Sequence, residues 1–422
     1  MNYIKKKTNH YDIHMIETDK FKKNVVKFYF RSPIQNQSEE IKRDILCNLL
    51  VLGTEKYSTK RELEKKCEDL FGANISINNV KSGNYFIFSI SLSYLSKKYT
   101  KEDLTEEAIA FLKDIIFFPK LVNHSFDEKL VSLAKEMYLE EIESIADSPS
   151  SLSVIQMRSY TSKNSNYAYD PYFHINDIKK ITASDLYECY QKILAESEFD
   201  VMMIGNNLNS KALENLPIHS TEYNQPFYDP VEGVVKENEI VEEKDYNQSK
   251  LAISYQIQNL NDFEKKYVMY VFSYILGGSS DSLLFKKIRQ EHSLCYYVNS
   301  SYLFFYQMLE ITAGIQSKNL KETVALVKEA IQEIQDGKFS EEEIEKAQIT
   351  YQSAWKEIVD SPFSILNMYL SHKYYQLDLM EQRMEQIKKV SMKDVIEISK
   401  KIQLSTIYLL KGMNEDEEEA TL

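Results

Sequence analysis

The sequence predicts an α+β protein of two similar halves, each a mainly antiparallel sheet packed with helices. Three observations carry this. The chain has 422 residues, more than one ordinary core organises at roughly 150 residues per domain. Stretches that alternate at period two are interleaved with stretches of helical period. The segment I-T-A-S-D-L-Y-E-C-Y-Q-K-I (181–193) is echoed 209 residues later by V-S-M-K-D-V-I-E-I-S-K-K-I (390–402), and each leads into a strand-like run ending in glycine. A capping box alone is common. A shared box, helix length and trailing strand at half the chain length indicate an internal repeat.

In the first half, residues 11–18 and 24–30 read as strands, V-V-K-F-Y-F most clearly. Residues 41–54, I-K-R-D-I-L-C-N-L-L-V-L-G-T, place apolar side chains at Ile41, Ile45, Leu46, Leu49, Leu50 and Leu52. That spacing predicts a buried helix, with Gly53 expected as its left-handed C-cap. Ser58-Thr59 opens a second helix that Gly72 ends, and two alternating strands follow at 74–80 and 84–93. Helices are expected over 102–117, 126–145 and 150–161. The box Thr182–Asp185 starts another, and F-D-V-M-M-I-G closes the half as a strand.

Pro217, Pro226, Pro230 and Gly233 then interrupt the chain. Beyond them the order repeats: a strand at 250–257, helices at 263–276 and 281–292, strands at 295–302 and 308–315, and long helices over 319–387. A helix capped by Ser391–Asp394 and a strand at 406–412 complete the series. The expected domains are 1–214, a linker and first strand at 215–247, a second domain at 248–412, and an acidic tail at 413–422.

Bulk composition excludes several functions. A net charge of −13 argues against nucleic acid, whose binding draws on a basic face. The most apolar run, 267–276, is half the roughly 20 residues a membrane span needs, and the start of the chain shows no apolar signal segment. Four scattered cysteines (Cys47, Cys67, Cys189, Cys295) without a C-x-x-C read as reduced core residues. The expected compartment is the cytoplasm.

Candidate chemistry starts on the 41–54 helix. Asp44 and Asn48 stand four apart on one face, with Cys47 between them, which is the spacing of a helical metal pair. The residue types are wrong: asparagine is a poor zinc ligand, and the set also reads as a polar face with a core cysteine. His10 and His14 are four apart in a stretch that reads as extended, which places them about 13 Å apart. Glu136, Glu140 and Glu141 form an acidic helix face. Neither a phosphate-binding G-x-x-x-x-G-K-[ST] nor a G-x-S-x-G elbow occurs. Arg289, in the last turn of a helix, and Tyr296, at the head of a strand, can reach one cleft and offer donors to a carboxylate or peptide carbonyl. An arginine so placed also complements the helix dipole.

Taken in order, L-G-T-E-K-Y, F-G-A-N-I-S and L-G-G-S-S-D-S-L-L-F-K-K-I-R-Q-E-H-S-L-C-Y-Y-V-N-S-S-Y resemble the insulinase/pitrilysin-like peptidases, the inverzincins. The likeness spans most of the chain and is to the single-unit bacterial members that work as pairs, one catalytic and one not. In active members H-x-x-E-H lies nine residues before the glycine matching Gly53. The resemblance therefore puts the first histidine on Asp44, the glutamate on Cys47 and the second histidine on Asn48, with Glu141 at the distal zinc-ligand position. All three motif positions are replaced, so no catalytic residue and no metal ligand is expected here. The resemblance also implies that Arg289 and Tyr296 contact bound peptide.

The function implied is that of a non-catalytic subunit of a heterodimeric zinc peptidase. It would hold a peptide or precursor peptide for an H-x-x-E-H partner that carries the zinc. The alternatives are a stand-alone peptide-binding scaffold, or a peptidase using Asp44, Asn48, Glu141 or Cys47 as unusual ligands.

Overall fold

The structure is a computed structural model describing residues 1–232, 234 and 237–413. Most of the expected acidic tail, 414–422, and Gly233 lie outside the described residues. The chain forms two compact units. The first comprises Met1–Glu143, Pro171–Phe227 and Val359–Leu370; the second comprises Ser144–Asp170, Tyr228–Ile358 and Ser371–Leu422.

The first unit holds a six-stranded sheet in the order Asn2–Lys7, Asp12–Glu17, Glu198–Gly205, Lys23–Pro33, Tyr85–Leu95, Asn74–Ser82. All its pairs are antiparallel except Asp12–Glu17 with Glu198–Gly205. Strand alternation sorts the side chains by face. Phe28, Phe30 and Phe199 form an aromatic cluster, with centroids 4.8 and 5.6 Å apart across Phe199. Lys27, Tyr29 and Asp200 point the other way, and the Tyr29 hydroxyl reaches Asn367 in the 359–370 segment. Tyr3 stacks on Tyr369 of the same segment at 4.8 Å.

The second unit repeats this topology with one strand fewer. Its order is Asn238–Lys244, Ile402–Gly412, Ser249–Ile257, Met308–Ile315, Cys295–Leu303. The first two again form the parallel pair and the rest are antiparallel. The helix Pro149–Thr161, from the first half of the sequence, packs on Ser249–Ile257 and Ile402–Gly412. Arg158 on that helix makes two bonds of 2.7 and 2.8 Å to Glu310, which also accepts from the Tyr167 hydroxyl at 2.8 Å.

Local expectations meet mixed outcomes. The capping boxes at Thr182–Asp185 and Ser391–Asp394 are formed, and so is one at Thr59–Glu62. Gly72 takes the left-handed conformation, φ +73°. Gly53 does not. The opening helix runs Glu39–Leu49 and ends on right-handed Leu50, so Gly53 lies beyond it. Its constraint is close packing: a Cβ there would lie 2.9 Å from the Ser58 carbonyl oxygen. The expected helices at 263–276 and 281–292 contain π-helical segments, Glu264–Val268 and Phe285–Glu291. The strand Asn2–Lys7 was not expected. It is exposed along its length, so its sequence carries no burial signal, and its pairing depends on Asp12–Glu17.

Glu310→Ala should lower the unfolding free energy by about 3 kcal/mol, because it leaves the Arg158 guanidinium and the Tyr167 hydroxyl without their shared acceptor. Urea unfolding of the variant beside the parent measures this.

Candidate functional site

The helix Glu39–Leu49 packs against the helices Glu128–Glu143 and Ala183–Glu196 and the strand Asn74–Ser82. Its acidic first turn suits the positive end of the helix dipole, and Glu39 and Glu40 are paired to Lys192 and Lys81 at 2.5 and 2.8 Å. Arg43 is buried on the same helix, with one amine bonded to Ser32 at 2.7 Å and the guanidinium 4.9 Å from the Phe86 ring centre.

Asp44 is held on both carboxylate oxygens. Asn79 donates to one at 2.8 Å and the Tyr138 hydroxyl to the other at 3.0 Å. Burial pushes the Asp44 carboxyl up to about 7, with the charges of Glu40 and Glu141 adding to it and the two hydrogen bonds opposing it. Burial also pushes the Cys47 thiol well up, reinforced by Asp44 and Glu141. Asn48 is half-buried one turn on, and Glu141 is exposed on Glu128–Glu143. The structure thus brings Asp44, Cys47 and Glu141 within electrostatic reach, together with Asn79 and Tyr138, which sequence reasoning missed. Tyr138 stands three residues before Glu141, so a shared helix face was the available signal; Asn79 had none.

This donor set does not fit a hydrolytic zinc. Zinc needs deprotonated, electron-rich ligands and a base for the water it activates. Here the carboxyl is pushed toward its neutral form, the thiol is protonated at neutral pH, and Asn48 is a neutral amide.

Arg289 and Tyr296 lie in the second unit. Arg289 is exposed on the π-helical segment Phe285–Glu291, its guanidinium 5.1 Å from the Phe285 ring centre. That segment packs on the strand Cys295–Leu303, which is an edge of its sheet. Tyr296 is 55% exposed and stands where the register slips between Cys295 and Tyr297, the mark of a bulge. Burial raises the Cys295 thiol to about 11, and the Arg289 charge opposes this, so Arg289 stands near the strand's head. A guanidinium, a phenol and an open sheet edge can together bind an extended peptide.

A third group was invisible in the sequence. Asp12, His14 and Asp200 place their ligand atoms within 4.8 Å of one another. The Tyr3 hydroxyl meets His14 Nδ1 at 2.6 Å, Nε2 lies 3.3 Å from Asp200, and Lys5 pairs with Asp12 at 2.7 Å. Asp12 and His14 share a face by alternation, but Asp200 arrives only through the parallel pairing. The set has nitrogen and oxygen donors suited to a divalent metal, and its own side chains already engage them.

Comparisons with known proteins agree with this architecture. A family model described as the peptidase M16 inactive domain matches residues 180–351. The chain is 26% identical over 419 residues to the probable inactive metalloprotease YmfF of Bacillus subtilis (strain 168), covering 98% of each. A crystal structure of a conserved protein from Enterococcus faecalis V583 is similar with TM-score 0.89 and 25% identity, over 98% of this chain and 100% of that one. The peptidase M16 inactive domain from Pseudomonas fluorescens shares the fold at TM-score 0.76 and 16% identity, over 98% and 99%. Among the described residues, no helix is long and apolar enough to cross a membrane.

The raised Asp44 carboxyl makes a signed prediction. Its contribution to stability is greatest below its unfolded value near 4 and is lost as the pH rises through about 7. Asp44→Asn should therefore be more stable than the parent at pH 8, by on the order of 2–4 kcal/mol, with the difference vanishing near pH 4. Urea unfolding at several pH values measures it.

Proposed function

Because this chain belongs to the insulinase/pitrilysin-like (M16) peptidase family and lacks its H-x-x-E-H motif, we propose that it is the non-catalytic subunit of a heterodimeric zinc peptidase. The partner supplies the zinc and the general base. This chain binds a peptide or precursor peptide and presents it for cleavage.

One contrast carries the reading. In the first unit the motif positions are committed to packing: Asp44 is bonded to Asn79 and Tyr138, and Cys47 is a protonated thiol. In the second, Arg289 and Tyr296 remain exposed beside the edge strand Cys295–Leu303. A peptide adding to that edge gains main-chain hydrogen bonds, while Arg289 and Tyr296 supply directional donors to its carbonyls. The free cysteines suit a reducing compartment, and we take the bacterial cytoplasm as the place of assembly.

The test mixes the chain with an H-x-x-E-H peptidase encoded beside it and follows cleavage of a quenched fluorescent peptide. Arg289→Ala should lower kcat/KM of the mixture by about tenfold or more, the worth of a charged hydrogen bond. Tyr296→Phe should lower it less. Unchanged cleavage in Arg289→Ala would remove the positioning role. Elemental analysis of the chain alone should find no stoichiometric zinc; zinc that is lost in Asp44→Ala would instead make it a peptidase with unusual ligands.

A further inference from the structure

The second unit contains a cavity that the peptide reading leaves unused. It has a volume of ≈ 110 Å³ and is walled by Tyr267, Tyr270, Phe304, Tyr351 and Trp355, with Lys266, Arg383 and Asp378 as the charged groups of its lining. The rings brace one another: Tyr270 and Tyr351 are 5.6 Å apart, Tyr351 and Trp355 6.1 Å, and Tyr267 meets Trp355 edge-on at 6.4 Å. The wall at Tyr267 belongs to the π-helical turn Glu264–Val268, a distortion that recurs at functional sites.

Arg383 is fixed, and the Asp378 carboxylate beside it offsets part of its charge. Its Nε donates to the Asp378 carbonyl oxygen at 2.5 Å, while the Asp378 carboxylate is taken by the Tyr267 hydroxyl. Among the described residues, the two terminal amines of Arg383 have no hydrogen-bond partner. Burial depresses its proton affinity, yet a guanidinium stays charged at neutral pH. A half-buried, oriented cation with two open donors calls for a planar anion, which a carboxylate matches in a bidentate fork.

Size and walls define the rest of the ligand. At ≈ 110 Å³ the cavity is smaller than the about 150 Å³ apolar cavity that accepts benzene, so the apolar group it takes is at most one ring or a branched aliphatic chain. We propose that this cavity binds a carboxylate carrying a single aromatic or branched apolar group, with the carboxylate on Arg383 and the apolar group among the tyrosines and Trp355. Such chemistry belongs both to a free aryl acid and to the C-terminal residue of a peptide.

Trp355 is the only tryptophan of the chain and lines the cavity, so its fluorescence reports occupancy directly. The full chain is titrated with 3-phenylpropionate, with its amide, and with a tripeptide ending in phenylalanine as free acid and as amide. Saturable change in Trp355 emission is expected for the free acid, the peptide acid, or both, and which one binds identifies the source. Each amide should bind about tenfold more weakly or worse, as should Arg383→Gln, with Arg383→Lys recovering part of the loss. Circular dichroism checks that both variants are folded. No saturable change with either acid overturns the proposal, as does equal binding of acid and amide or undiminished binding by folded Arg383→Gln.

Discussion

Each unit depends on one parallel strand pair. Asp12–Glu17 lies beside Glu198–Gly205, and Asn238–Lys244 beside Ile402–Gly412. A parallel pair cannot be closed by a hairpin; it needs a crossover of a dozen or more residues. Here the crossover is most of the unit, carrying the antiparallel strands and the helices between its two ends. The register of that pair therefore sets where everything inserted between can lie. The same order of five strands in both units is what such a constraint, duplicated, produces.

The parallel register also places polar groups in the first sheet. It sets Asp12 against Asp200 and so brings His14 to the same carboxylate. Asp200 and His14 are almost wholly buried, and buried polar groups persist only with partners. Tyr3, His14 and Asp200 form such a chain, ending on the exposed strand Asn2–Lys7. That strand, which brings little burial of its own, is held by pairing and by the Tyr3–Tyr369 stack.

The helix Glu39–Leu49 is held in place by its packing. Ile41, Ile45, Leu46 and Leu49 remain buried against neighbouring helices, and Arg43 sits among them over Phe86. Asp44 is kept in place by Tyr138 and Asn79. In the second unit the π-helical segment before Cys295–Leu303 and the bulge at its head hold Arg289 and Tyr296 outward on an edge that is not covered within its sheet.

The sequence by itself determined the fold class, the repeat and the absence of an H-x-x-E-H motif. These rest on local signals: period-two and helical patterning, the boxes at Thr182–Asp185 and Ser391–Asp394, and the identities of Asp44, Cys47 and Asn48 at fixed offsets from Gly53. Only the tertiary structure decided which distant residues meet. Tyr138 on Asp44, Asp200 on His14, Glu310 under Arg158 and the walls around Arg383 are each set by strand register or helix packing across long separations. It also decided backbone states that several sequences can adopt, such as the π turns and the role of Gly53, because these follow from what the neighbouring chain leaves room for. Local energetics choose the elements; the pairing of elements far apart in the chain chooses the sites.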